Sequence, residues 1–286
     1  MTRMSVSLAL RFGQCSRPAP AGFQKYACLL LLSAITAVFF AGSAAAADFG
    51  FAHGTAVVVL RSPKALYAAV DSKEIDQEYR NGQLTVAEKV ACKIRKVGPY
   101  YSIVAGIMRG TNGFDALQEA SDAYKPGDDL EAVSDSLRQS VPHMLAPMLT
   151  ALLQQDPDGF AKNYGTYGAL HLTLIGNEQN APKVVVVEFR ALTSAEGKVS
   201  LNSRTMSCPG DCPAPNTGYF LGAHEAVEAS VHDNPSVLNK PSEPAVERLI
   251  GLEYASRPDI VGGPITMIKV SPSGSAVLRN GACTLN

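Results

Sequence analysis

Gly54–Leu60 reads GTAVVVL and, after Arg61-Ser62-Pro63-Lys64, Ala65–Lys73 reads ALYAAVDSK. The first run is dominated by β-branched residues, and the second is a short apolar run that ends on charge. Four residues that include Ser-Pro join them, so the pair reads as a tight β-hairpin. A hairpin brings the start of its first strand to the end of its second. It therefore sets Thr55 beside Asp71, sixteen residues further on.

Working outward, Asp71–Lys89 is a polar stretch, and Lys93–Val97 and Tyr100–Ala105 read as two more strands. A glycine-rich segment, Gly106–Gly113, leads into an amphipathic helix with Phe114, Leu117, Ala120, Ala123 and Tyr124 at three- and four-residue steps. Pro126-Gly127 stops it. A second helix opens near Asp128–Leu130 with Leu130, Val133 and Leu137 on one face, and Pro142 and Pro147 are expected to interrupt it before Met148–Leu153. A β block follows at Ala169–Ile175, Lys183–Leu192 and Lys198–Arg204, with turns at Gly176-Asn177 and Glu196-Gly197. Two more helices are expected at Gly222–Val231 and Ser242–Ser256, and two final strands at Ile265–Val270 and Ala276–Leu278, joined through Pro272-Ser273-Gly274. Strands and helices come in clusters rather than in strict alternation. That pattern predicts an α+β layered domain over 55–286, undivided by any Pro-, Gly- or Ser-rich linker.

The 286 residues carry 25 Lys+Arg against 26 Asp+Glu. This balance excludes a broadly basic nucleic-acid binder. It hides an asymmetry: residues 1–47 hold Arg3, Arg11, Arg17 and Lys25 and no acid, which leaves −5 on 48–286 against −1 for the whole chain. No charge interrupts Tyr26–Ala47, and Ala45 and Ala47 form the A-x-A pattern of a signal-peptidase site just before Asp48. Residues 1–47 therefore read as an export signal, with Met4 as an alternative start. An uncleaved membrane anchor is the competing reading. Export points to the periplasm or the extracellular space.

Cys15 and Cys28 would leave with the signal, so Cys92, Cys208, Cys212 and Cys283 remain. In an oxidising compartment Cys208 and Cys212, in SCPGDCP, read as a short disulfide clasp. A zinc site would need further ligands, and only His224 lies nearby. Cys92 and Cys283 are left open, as a pair or as buried thiols.

The segments GTAVVVL (54–60), ALYAAVDSK (65–73), CKIRKV (92–97) and SIVAG (102–106), with the later VGGPITMIKV (261–270), resemble the proteasome β-subunit family of N-terminal-nucleophile hydrolases. The resemblance implies a four-layer αββα sandwich and self-cleavage of the Gly54–Thr55 bond, so that 48–54 is a short pro-segment and the processed chain begins at Thr55. It implies that the Thr55 hydroxyl is the nucleophile and its freed α-amino group the base. Lys93 would supply a cation beside the hydroxyl, Asp71 would orient Lys93, and the Gly106 N–H would stabilise the oxyanion. Lys73 and Asp259 would have supporting roles. The implied substrate is a peptide or a small amide, with no cofactor and no metal. A homo-oligomer is plausible in such a family, and no ATPase partner is expected outside the cytoplasm.

The chain also departs from that pattern. Tyr219–His224 holds no serine where the family usually has a supporting one. Val261 stands just before Gly262-Gly263, where a hydroxyl is usual, and Asp259 substitutes only with a shift in position. Three readings follow: an exported threonine peptidase, a catalytically silent binding or scaffold protein of the same fold, and a small-molecule amidohydrolase. As plain structure, Thr55 would be a strand residue and Asp71–Lys93 an ordinary ion pair. His224 and His232, eight apart on an expected helix, read as satisfied histidines. His53 reads as a solvated pro-segment residue with an option on assisting self-cleavage. Asp128, Asp129, Glu131 and Asp135 complement a helix start.

Overall fold

A computed structural model describes residues 49–80, 83–165 and 168–285. The expected export segment 1–47 and Asp48 lie outside them. The strands are β1 (Phe49–His53), β2 (Ala56–Arg61), β3 (Leu66–Val70), β4 (Lys73–Arg80), β5 (Gln83–Val90), β6 (Ile94–Val97), β7 (Tyr100–Gly106), β8 (Arg109–Gly110), β9 (Leu170–Glu178), β10 (Ala181–Thr193), β11 (Val199–Cys208), β12 (Thr217–Gly222), β13 (Thr266–Ser271) and β14 (Gly274–Arg279). The helices are α1 (Ala116–Ala123), α2 (Leu130–Gln155), α3 (Pro157–Tyr164), α4 (Glu225–Asp233) and α5 (Glu243–Ser256), with a 3-10 turn at Pro235–Asn239. The chain is thus a mixed α+β protein of three antiparallel sheets and five helices among the described residues.

The first sheet has the order β12-β2-β3-β13-β14, the second β11-β10-β9-β7-β6, and the third β5-β4-β1-β8. Alternation along the strands divides the core. Val57, Val59, Leu66, Ala68 and Val70 of the first sheet meet Tyr101, Ile103, Ala105, Ile175, Val184 and Val186 of the second. The opposite face of the first sheet, through Ala56, Val58, Leu60 and Met267, is covered by Val227 of α4 and Val246, Leu249 and Ile250 of α5. The far face of the second sheet, through Val104, Leu172, Leu174, Val185 and Val187, is covered by α1, α2 and α3.

The β2–β3 hairpin forms in the register Val57↔Val70 to Arg61↔Leu66, closed by Ser62, whose N–H and hydroxyl both donate to the Ala65 carbonyl at 2.8 and 3.0 Å. Elsewhere tertiary packing overrides local signals. Helix α2 runs unbroken through Pro142 and Pro147, because Val141, Leu145, Leu149 and Leu152 hold one continuous buried face. That burial outweighs the helical hydrogen bonds the two prolines remove. The β9–β10 turn falls at Gln179 and Asn180, which take positive φ of 51° and 61°, and not at Gly176-Asn177. Gly176 instead sits inside β9, where a Cβ would lie 2.4 Å from the Tyr100 ring.

The polar stretch after Asp71 is the β4–β5 hairpin, with Ile75 and Tyr79 buried on one face and Glu74, Asp76 and Glu78 on the other, where Glu74 is buried and paired with Arg109. Residues 217–222 are strand β12, paired with β2, and α4 begins only after His224. The residues ahead of Thr55 form β1, a strand between β4 and β8 with Phe49, Phe51 and Ala52 buried. His53 ends that strand and is not a solvated tail residue.

Candidate active site at the β1–β2 junction

The Gly54–Thr55 peptide lies where β1 leaves the third sheet and β2 enters the first. Gly54 takes φ +98°, a conformation that favours glycine. Thr55 is 2% exposed. Its carbonyl accepts from Ala223 N–H at 2.9 Å, and its hydroxyl donates to the carbonyl oxygen of Gly54.

Lys93 opens the segment into β6, and its side chain is fully buried. Its Nζ donates to the Gly54 carbonyl at 2.7 Å, to Asp71 Oδ1 at 2.9 Å and to the Lys73 carbonyl. Burial lowers the ammonium's pKa from its ordinary value, while Asp71 and, less strongly, Glu74 act to hold the proton. Asp71 follows β3 and is buried. Its Oδ1 also accepts from Ala56 N–H at 3.0 Å, and its Oδ2 accepts from Lys73 N–H at 3.1 Å and Gly262 N–H at 3.0 Å. The Asp71 carboxylate thus ties three chain segments together around Lys93. Ser72 and Lys73 return N–H donations to the Gly262 carbonyl at 3.0 and 2.9 Å.

Gly106 ends β7 with φ +89°, and a Cβ there would lie 2.4 Å from the Ala169 carbonyl oxygen. It pairs with Leu170 of β9. A Cβ on Gly222 would lie 2.0 Å from the Thr55 carbonyl oxygen and 3.5 Å from Ala105 Cβ. Lys73 turns its ammonium to the Pro258 carbonyl at 2.8 Å and to Glu88 at 2.9 Å, at the rim. Asp259 is exposed and its carboxylate meets Arg257 at 3.2 Å, so it is placed on the surface rather than against the Thr55 hydroxyl.

Gly222, Ala223 and Gly262 contribute to the site in roles that the sequence alone does not mark. Gly222 and Ala223 clamp the Thr55 carbonyl, and no sequence signal marks them because TGYFLG owes its strand conformation to its pairing with β2. Gly262 holds Asp71 from 191 residues away; the Gly-Gly pair was visible, its partner was not. His53 carries a buried Nε2 without a hydrogen-bond partner. Burial, reinforced by the Lys93 charge, lowers its pKa to about 4, so its ring is neutral near neutral pH. His224 stands at the α4 cap with Nδ1 2.6 Å from the Gly222 carbonyl oxygen, and His232 is exposed.

A hydroxyl and an ammonium that converge on one peptide carbonyl polarise it toward nucleophilic addition. No protein-family model and no curated protein matches the chain.

Cys208 is paired with Cys212, and Cys92, the residue before Lys93, with Cys283. Two disulfides suit an oxidising compartment. Among the described residues, no helix is long and apolar enough to cross a membrane.

Proposed function

We propose that this chain is an exported N-terminal-threonine amide hydrolase of the proteasome-like type, which creates its nucleophile by cutting its own Gly54–Thr55 bond. The observation that carries the reading is the Gly54 carbonyl oxygen, which accepts from both the Thr55 hydroxyl and Lys93 Nζ. Attack of Thr55 Oγ on the Gly54 carbonyl carbon closes a five-membered ring whose oxyanion lies against the Lys93 ammonium. Expulsion of the Thr55 nitrogen, which takes up the hydroxyl proton, leaves an ester. Water then cleaves that ester and releases a Gly54 carboxylate, the Thr55 hydroxyl and a free α-amino group. That amine has an unperturbed pKa of about 7.7–8.0, suited to taking the hydroxyl proton when an external amide is attacked. Lys93 and Asp71 remain as the cation and its orienting partner, and the Gly106 N–H is the further oxyanion donor. The αββα layering fits the same reading, and the charge-free Tyr26–Ala47 segment with its A-x-A end supports delivery by a signal peptide.

A second reading has a specific observation in its favour. Strand β1 is built into a sheet on both edges, as it would be in an uncut binding or scaffold protein. The test is the mass and N-terminal sequence of the purified chain, beside a Thr55→Ala variant, with turnover of peptide amides measured on both. The hydrolase reading expects a chain that begins at Thr55 and a Thr55→Ala chain that is uncut and inert. An uncut wild type, or turnover unchanged by Thr55→Ala, would overturn it.

A further inference from the structure

Strand β1 is held as a ligand would be. On one side its backbone pairs with β4 from Phe49↔Tyr79 to His53↔Ile75. On the other, Met108 N–H donates to the Ala52 carbonyl at 2.7 Å, Thr111 N–H to the Gly50 carbonyl at 2.9 Å, and the Thr111 hydroxyl accepts from Gly50 N–H at 2.9 Å. Side chains alternate between two unlike environments. Phe51 is 5% exposed, edge-on to Tyr164 at 6.4 Å, and Phe49 stacks on Tyr79 at 4.8 Å. Gly50 faces the other way, where a Cβ would meet the Gln77 carbonyl oxygen at 2.9 Å and Glu78 Cγ at 3.0 Å. The strand then delivers the Gly54 carbonyl to Lys93.

We infer that the slot between β4 and β8 is the acyl-side peptide site of the processed enzyme. It selects an extended strand with an aromatic residue three positions before the scissile residue, glycine one position earlier and a second aromatic beyond that. The inference rests on self-cleavage at Gly54–Thr55, because the covalent strand must be cut before another can enter. Main-chain pairing to both neighbours supplies sequence-independent affinity, and the alternating pockets supply the choice. The chain's own Phe49–Gly54 is the first occupant, and once cut it is a product whose new carboxylate faces the Lys93 ammonium. A charge-assisted contact of that kind makes it a competitive inhibitor.

The probes are the free acid Phe-Gly-Phe-Ala-His-Gly and the same hexapeptide as a C-terminal aminocoumarin amide. Mass spectrometry of the purified full chain comes first. A chain with 49–54 still attached overturns the processing reading, and this inference with it. With the bond cut, native mass spectrometry that finds the released strand still seated supports the site. So does competitive binding of a labelled free acid together with turnover of the amide. Replacing the second Phe by Ala should weaken binding about 10- to 100-fold, and replacing the first Gly by Val should weaken it at least as much. A cut chain that turns over a simple glycyl aminocoumarin amide yet ignores the hexapeptide overturns the inference and leaves the hydrolase standing. Equal affinity for the Phe and Ala peptides does the same.

Discussion

Lys93 Nζ lies 2.7 Å from the Gly54 carbonyl oxygen and 2.9 Å from Asp71 Oδ1, with no water-exposed surface on its side chain. A buried ammonium is costly unless paired, and removing one member of a buried pair leaves the other uncompensated. Lys93→Met should therefore destabilise the chain by about 3–5 kcal/mol and abolish cleavage at Gly54. The double variant Lys93→Met with Asp71→Asn should recover much of that stability without recovering cleavage. Urea denaturation and intact-mass measurement on the two variants separate these effects. Cleavage at the wild-type rate in either would remove Lys93 from the chemistry.

Gly222 leaves no room for a side chain. A Cβ would stand 2.0 Å from the Thr55 carbonyl oxygen and 2.9 Å from its carbon, at a φ of +74°. Gly222→Ala should cost about 1–3 kcal/mol. Displacement of Thr55 by even about 1 Å should slow self-cleavage roughly a hundredfold. Gly251, in helix α5, offers the contrast, since nothing lies within 4 Å of its added Cβ. Gly251→Ala should stabilise by about 0.5–1 kcal/mol and leave cleavage unchanged. Thermal unfolding and a time course of processing read both.

The contrast between local and distant information explains what the sequence could disclose. The β2–β3 hairpin, the β6–β7 pair and helices α1 and α5 are legible because each carries its own period and its own turn. Strands β1 and β12 are not, since FGFAH and TGYFLG are short and owe their conformation to the neighbours they join. Strands β4 and β5 were hidden by charge: in KEIDQEYR only Ile75 and Tyr79 mark an inner face, and every residue of β5 is exposed. Thr55, Asp71 and Lys93 drew attention through a family resemblance; hairpin spacing alone related only the first two. Gly222, Ala223 and Gly262 reach the site from far along the chain, and no local pattern encodes such a meeting.

Chain separation also sets the value of the two disulfides. Cys92–Cys283 closes a loop of 191 residues, whereas Cys208–Cys212 closes one of 4. Loop-closure entropy assigns about 5 kcal/mol to the first and about 2 kcal/mol to the second. Replacing Cys92 and Cys283 together by Ser should lower the unfolding midpoint far more than replacing Cys208 and Cys212. Denaturant midpoints of the two double variants, each against the oxidised parent, give the comparison. Equal losses would mean that the long loop is already restricted in the unfolded chain.

His53 links β1 to the pH response of the uncut chain. Its pKa is lowered from 6.5 to about 4 in the folded state, first by burial and then by the Lys93 charge. Between those values the unfolded chain binds a proton that the folded chain does not, so stability falls as pH drops from about 6.5 toward 4 and is flat for this group above that window. The lost increment is roughly 3 kcal/mol. A Thr55→Ala chain, which keeps β1 attached, should show this acid-side loss in a pH series of denaturant midpoints. Adding His53→Gln should flatten the curve between pH 4 and 6.5 and leave the value at pH 8 within about 1 kcal/mol of the parent. A processed chain freed of its β1 peptide should lack the His53 component altogether, because the titrating ring has departed with the strand. The same curve in all three would place the acid sensitivity on other groups.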